Sequence, residues 1–218
     1  RPRIAFLFTG QGAQYVGMGR DLYESEAVFR EAFDRCLAVI DPMLDRSLKE
    51  VMFSGPEELL NQTCYTQPAL YTLEVALALL WRSWGIEPSV VIGHSVGEFA
   101  AAAIAGVFSV EDGARLIAMR GRLMQSLPAG GAMLAVQGDT AAIEREILPD
   151  ASRISVAARN APGSIVLAGA QADIDAVADR LSGAAMKLQR LAVSHAFHSH
   201  LMDPILSEFS RFSAGIVH

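Results

Sequence analysis

The sequence is poor in charge, in cysteine and in aromatic residues. Of its 218 residues, 19% are charged and 7% aromatic, while 51% are hydrophobic. So much apolar surface folds around a sizeable core, which excludes a disordered tail or linker. Basic residues are outnumbered, 18 Lys+Arg against 24 Asp+Glu, for a net charge of −6. That balance gives no electrostatic footprint for wrapping nucleic acid, and only a local basic patch could face an acidic partner. Two cysteines, Cys36 and Cys64, are too few for a disulfide framework or a thiolate metal site. Both lie among apolar residues and read as buried free thiols, which fits a reducing compartment, so a cytoplasmic location is expected. No charge-free apolar run reaches the ~18 residues of a membrane span. Arg1-Pro2-Arg3 before Ile4–Phe8 outlines a signal peptide, but the apolar stretch is too short and Thr9-Gly10-Gln11-Gly12 breaks it. No internal repeat or low-complexity tract is present. The chain does not open on Met and runs out at Ile216-Val217-His218, so an excerpt from something longer is expected.

What is present is an alternation of strands and helices. Ile4–Phe8 reads as a buried strand before a Gly-rich loop, and Ser89–Ile92 as a second. Ser25 can cap a helix with Val28, Ala32, Phe33, Cys36 and Ile40 on its apolar face, ended by Pro42. Pro68 is placed to start a helix through Leu70, Leu73, Leu77, Leu80 and Trp84, with Gly85 as its stop. Glu98–Gly106, apolar nearly all round, reads as a buried helix, and Ser109 with Asp112 forms a capping box for a helix to about Ser126. The pattern changes at Pro128-Ala129-Gly130-Gly131. Beyond it come strand Ala132–Val136, helix Thr140–Leu148, strand Ile154–Ala158, a turn at Pro162-Gly163, strand Ile165–Ala168, helix Gln171–Leu181 and strand Ala185–Val193. That βαββαβ order is ferredoxin-like. The expected architecture is a large α/β body, residues 1–128 and 195–218, carrying a small inserted subdomain at 129–194. A last helix, about Leu201–Phe212, returns to the body.

Gly93-His94-Ser95-Val96-Gly97 fits G-x-S-x-G. A strand leads into it and a helix leaves it, so Ser95 falls on a sharp elbow where flanking glycines relieve crowding. The turn sets the Ser95 hydroxyl at a helix N-terminus, where backbone N–H groups favour developing negative charge. The bland alternative is a serine in a tight structural turn. On the following helix, at 100° per residue, Arg120 falls about −80° from Val110, inside the apolar arc. Arg115 and Arg122 fall on the opposite face. A guanidinium turned inward needs an anion, either a buried Asp or Glu or a substrate carboxylate held bidentately. Four of the five histidines are His94, His195, His198 and His200. The spacing of the last three, with Asp203 beyond, allows a metal, but no second ligand cluster exists, and a general base for Ser95 is the simpler use.

Together, Thr9-Gly10-Gln11-Gly12-Ala13-Gln14, Tyr65-Thr66-Gln67-Pro68-Ala69, Gly93–Glu98, Met119-Arg120-Gly121 and Ser194-His195-Ala196-Phe197-His198-Ser199 resemble the malonyl-CoA:acyl carrier protein transacylase family. The resemblance is closest to acyltransferase domains of modular type I polyketide synthases and covers essentially the whole chain. It implies a hydrolase-like α/β body with a parallel sheet, a nucleophile elbow and a ferredoxin-like insertion. It implies Ser95 as nucleophile, His198 as its base, and the backbone N–H groups of Gln11 and Val96 as the oxyanion hole. Arg120 becomes the grip on a malonyl carboxylate, with Gln67 and Asn160 lining the pocket. The family's third triad position belongs to a C-terminal segment without a counterpart here. Malonyl-CoA and the phosphopantetheine thiol of an acyl carrier protein are the implied substrates, beside a ketosynthase and other domains of one polypeptide, with no metal or bound cofactor. His195-Ala196-Phe197-His198 resembles the malonyl-type motif where methylmalonyl-type domains carry Tyr-Ala-Ser-His, so Phe197 is read as a wall against an α-methyl group. The rival readings are a transacylase of fatty acid synthesis, a serine hydrolase or thioesterase, and an inactive remnant that only docks carrier protein.

Overall fold

The first apolar run forms β1 (Ala5–Phe8) and the run before the elbow forms β2 (Val90–Gly93), paired in parallel with Phe8 opposite Gly93. The computed structural model describes residues 3–183, 186–191, 193 and 195–216. Two compact units divide the chain, Arg1–Gln125 with Phe209–His218, and Ser126–Glu208. Both strands were expected to be buried. Instead alternate residues divide between two faces, as strand geometry requires. Phe6, Phe8 and Val91 pack into the first core, whereas Leu7, Val90 and Ile92 are exposed.

Around this pair stand α1 (Arg20–Ser25), α2 (Ala27–Ile40), α3 (Leu48–Ser54), α4 (Glu57–Leu60), α5 (Thr63–Ser83), α6 (Gly97–Ala105) and α7 (Val110–Gln125). Ser25 is not the cap of a long helix. A left-handed turn at Gly19 starts α1 early, Ser25 ends it, and Glu26 stands at the start of α2 with no side-chain cap bond. Val28 consequently lies outside the buried face, which is Phe29, Ala32, Phe33, Cys36, Leu37 and Ile40. Pro68 does not start α5 but sits inside it. Its missing N–H costs one ladder bond, but Thr63, Tyr65, Thr66 and Gln67 are all buried, and the Thr66 hydroxyl donates to the Leu60 carbonyl at 2.6 Å. Packing therefore carries the helix across the proline. α5 ends as expected, with Gly85 at φ +78°. α6 is buried along one face only, through Gly97, Ala100, Ala101 and Ile104. The Ser109 hydroxyl accepts from the Asp112 N–H at 3.0 Å and donates to the Asp112 carboxylate at 2.8 Å, so the cap of α7 is as read. Cys36 is buried, and burial pushes its thiol up to about 12, but Cys64 is only half-buried.

The second unit is built from β3 (Gly131–Gln137), α8 (Thr140–Ile147), β4 (Ile154–Ala161), β5 (Ser164–Ala170), α9 (Gln171–Ser182) and β6 (Lys187–Arg190). Its strands lie in the order β4-β5-β3-β6 and all pair antiparallel, which is the ferredoxin-like arrangement expected. The helices close a separate core with Leu134, Val136, Ile143, Ile165, Leu167, Ile174 and Val177. β6 is shorter than the strand expected from Ala185 to Val193. The Val193 N–H turns back to the Leu191 carbonyl, and Ala185, Ala192 and Ser194 lie outside the described residues. A 3₁₀ turn (His200–Met202) leads to α10 (Asp203–Ser213). The sequence places the boundary of the insertion at 194, and the second compact unit runs on to Glu208. Segment 195–202 keeps with that unit because the backbone N of Ala196 lies where a Gly131 side chain would stand, and His195 bonds the Leu127 carbonyl. Among the described residues no helix is long and apolar enough to cross a membrane.

Candidate active site

Among the described residues only two non-glycine residues take a positive φ, Ser95 at +54° and His198 at +58°. Such backbone is sparsely populated for residues with a Cβ and concentrates where a site over-determines it. At Ser95 the cause is visible. β2 ends at Gly93 and α6 begins at Gly97, leaving three residues to reverse direction. A Cβ on Gly93 would stand 2.2 Å from the Glu98 nitrogen, and one on Gly97 would stand 2.5 Å from the carbonyl oxygens of Phe8 and Thr9. Both glycines are therefore required by close packing, and the serine between them is held in the elbow. Val96, buried at the start of α6, begins the helical turn, whose first bonds are Gly97 N–H to His94 O and Glu98 N–H to Ser95 O.

The loop after β1 lies against this elbow. The His94 N–H donates to the Phe8 carbonyl at 3.0 Å, and a Cβ on Gly10 would be 2.6 Å from the His94 ring. Gln11, half-buried, follows at the loop's turn. The Gly12 N–H donates to the Gln14 side chain, which in turn donates to Asn61. At the loop's start, Thr9 donates both its N–H (2.6 Å) and its hydroxyl (2.8 Å) to one oxygen of Glu74, on α5. Glu74 is 8% exposed, and burial lifts its carboxyl to about 7 against the pull of the Thr9 bonds.

On α7, Arg115 pairs with Asp112 and Arg122 is exposed, while Arg120 is half-buried as the helix geometry indicated. Among the described residues no Asp or Glu forms an ion pair with Arg120, which removes the buried-acid explanation. Its guanidinium carbon lies 5.7 Å from the centre of the Phe99 ring, and burial lowers its pKa to about 10. Gln67 is buried on the neighbouring α5. Its amide N donates to the Met124 sulfur at 3.2 Å, and its amide oxygen is buried without a partner among the described residues.

His198, Phe197 and Asn160 belong to the second unit. His198 is exposed on a turn whose neighbours are fixed. The Phe197 N–H donates to the His195 carbonyl, the Ser199 hydroxyl donates to the Ala196 carbonyl at 2.6 Å, and the Leu201 N–H donates to the Ser199 hydroxyl. Phe197 is buried, its ring 6.1 Å from that of His195. His195 is itself buried, with Nε2 at 3.0 Å from the Leu127 carbonyl. Among the described residues no three His, Cys, Asp or Glu side chains gather closely enough to hold a metal ion. Asn160 is exposed on β4, at the second of two register shifts where Arg159 pairs Ile165 and Ala161 pairs Ser164.

A strand, a strained serine elbow and a helix recur in several families, and the match along the chain decides among them. A model of the acyl transferase domain family fits residues 5–217. The chain belongs to the acyl transferase domain family. It is 51% identical to the mycoketide-CoA synthase of Mycobacterium tuberculosis, across 98% of this chain and 5% of that protein. The acyltransferase domain from the second module of the salinomycin polyketide synthase superposes with a TM-score of 0.94 at 46% identity, over 100% of this chain and 51% of the other. A malonyl-transacylase in complex with its type II polyketide acyl-carrier protein superposes at 0.89 with 35% identity, over 99% and 71%. The chain thus spans a twentieth of that synthase and about half of the salinomycin domain's chain.

Two residues at this candidate site, Glu74 and Phe99, do not stand out in the sequence analysis. Glu74 carried a signal. It is an acid inside the stripe Leu70, Glu74, Leu77, where an unpaired charge is costly and demands a partner. Phe99, one turn into α6 from Ser95, reads as ordinary core.

Proposed function

We propose that this domain moves a malonyl group from malonyl-CoA to the phosphopantetheine thiol of an acyl carrier protein through an acyl-Ser95 intermediate, loading an extender unit for polyketide assembly. The observation that carries the proposal is the left-handed backbone of Ser95, clamped between two glycines that have no room for a side chain. In the first half-reaction Ser95 Oγ attacks the thioester carbonyl as its proton passes to the His198 imidazole. The oxyanion is received by the backbone N–H groups of Gln11 and Val96. The carbon–sulfur bond breaks, and the proton from His198 leaves with CoA as its thiol. In the second half the carrier thiol gives its proton to His198 and attacks the ester. The carbon–Oγ bond breaks and the proton returns to Ser95.

Arg120 is the support for a charged acyl group. A half-buried guanidinium with no ion-paired carboxylate among the described residues is matched to a free carboxylate of the substrate, whereas a neutral acyl chain offers it nothing. Gln67, with its buried amide oxygen unpaired, and Asn160 are assigned to the pocket wall, and Phe197 to the side that an α-substituent would occupy. The carrier protein is supported by the related transacylase that has been solved with one bound. Weighing intact protein after exposure to malonyl-CoA tests the scheme. A single malonyl group on Ser95, discharged by carrier protein, is expected. Rapid release of free malonate without an adduct would indicate a hydrolase, and no reaction at all would indicate an inactive docking domain.

A further inference from the structure

The geometry points to Glu74 as a positioning residue for acyl transfer, fixing the loop that carries the Gln11 N–H against the serine elbow. The inference rests on the acyl-serine reading above. Glu74 lies 65 residues from Thr9 in sequence, yet one of its oxygens takes both the N–H and the hydroxyl of Thr9. Thr9 is the first residue after β1 and stands two positions before Gln11. Its carbonyl oxygen, with that of Phe8, leaves no space for a side chain at Gly97, so the loop's height over the elbow is set where Glu74 grips it. Gly10 is pressed on the His94 ring in the same way. Two N–H groups stabilise one oxyanion only if their separation is held to a fraction of an ångström. Val96 is held by α6, and Glu74 holds the other side.

Burial of this acid has no other evident use. Its second oxygen, Oε2, is buried with no hydrogen-bond partner among the described residues. The cavity of about 370 Å³ beside it is walled by β1, Leu77, Ala78, Trp81 and Ile86, none of them titratable. A carboxylate kept in an apolar wall, unpaired on one oxygen and doubly bonded through the other, is a cost to folding, and the Thr9 loop is what that cost secures.

The test uses the protein as the cell makes it, with any flanking domains in place. The rate of Ser95 malonylation is measured by rapid quench and intact mass, per folded molecule, over a range of malonyl-CoA concentrations. Glu74→Ala is expected to lower the maximal acylation rate by about 10- to 100-fold with little change in KM, since complete loss of an oxyanion donor costs about 10²–10³. Glu74→Gln, which keeps an acceptor for both Thr9 donors, is expected to restore the rate to within about threefold of wild type. Thr9→Val, which removes only the hydroxyl, is expected to fall between them and serves if Glu74→Ala does not fold. A purely structural Glu74 would lower the melting temperature and leave the rate per folded molecule unchanged, and that result in Glu74→Ala, or in Thr9→Val, overturns the assignment. Absence of any adduct in the wild type overturns the acyl-serine reading itself. A normal wild-type adduct beside an undiminished variant rate overturns the role of Glu74 alone.

Discussion

Asp150 in the second unit and Arg120 in the first are both drawn back from water, but their surroundings differ. Asp150 is 7% exposed and receives hydrogen bonds from Arg180 and from Arg153. Arg153 also reaches Asp173 at 3.1 Å. That cluster closes on itself, and it holds the Asp150 carboxyl below the usual carboxylate range, chiefly through Arg180. Among the described residues no acid pairs with Arg120, which lies over the Phe99 ring, and the hydrogen bonds to Glu74 come from Thr9. Charges that serve the fold are neutralised within the fold. On the proposals above, Arg120 and Glu74 are instead set for a carboxylate that arrives and for a loop that must stand in one place. The contrast predicts where substitutions disable chemistry and where they only loosen structure.

The largest effect is expected at the elbow. Ser95→Ala should abolish the malonyl adduct while leaving the melting temperature nearly unchanged, because a smaller side chain fits the same left-handed turn. Asp150→Asn should do the reverse, keeping the adduct and lowering the melting temperature. Intact mass and thermal unfolding of both variants check the pair. An adduct persisting in Ser95→Ala would move the nucleophile elsewhere.

Next comes Arg120→Ala. Truncating one partner of a buried charged contact costs about 2–5 kcal/mol, so kcat/KM for malonyl-CoA should fall by roughly two orders of magnitude or more. Acetyl-CoA has no carboxylate to lose and should fall far less. Equal losses for both thioesters would put Arg120 among the structural charges, beside Asp150.

The two regions should also respond to pH with opposite sign. Glu74 has a folded pKa raised from 4.5 to about 7. Between those values the unfolded chain gives up its proton first, so stability falls as pH rises, by about 3 kcal/mol over the window. Asp150 has a depressed folded pKa. Its contribution is present above the unfolded carboxylate value and is lost as pH falls below it. Denaturant unfolding from pH 3 to pH 8 should show the Glu74 slope in wild type and its absence in Glu74→Gln. A wild-type curve flat between pH 4.5 and 7 would mean that Glu74 is not withdrawn from water as the structure has it.

Local patterns made much of this legible. The elbow needs a strand, two glycines and a helix in immediate succession, and the cap of α7 needs residues three apart. The inward direction of Arg120 follows from helical period alone. Features fixed by distant packing were harder. Pro68 reads as a helix start because the buried turn that carries α5 past it is held by Thr66 bonding to Leu60, outside the helix. Cys64 reads as core only if its polar flanks, Gln62-Thr63 and Thr66-Gln67, are passed over, and it is half-buried. The Thr9–Glu74 link joins residues whose nearness no local pattern encodes, and the closure of segment 195–202 on Leu127 and Gly131 is equally non-local.

The smallest effect tests what the second unit contributes to the chemistry. There the buried Asp150 is paired with Arg180 and Arg153, so an influence of Phe197 on substrate choice should come from shape rather than from electrostatics. Phe197 is the buried aromatic immediately before His198, its backbone fixed to His195. If its ring stands where an α-methyl group would lie, malonyl is preferred over methylmalonyl, but only by about 1–3 kcal/mol, since one methyl group in an apolar pocket carries no more discrimination than that. Phe197→Ser should then raise methylmalonyl use in part, because the rest of the wall is unchanged, and should leave Arg120-dependent binding of the carboxylate intact. Competition between equal concentrations of malonyl-CoA and methylmalonyl-CoA, read as the ratio of the two acyl-Ser95 masses, measures it. Dominant methylmalonyl loading in the unsubstituted protein would remove Phe197 from the pocket wall and leave the second unit with no assigned part in selection beyond His198 and Asn160.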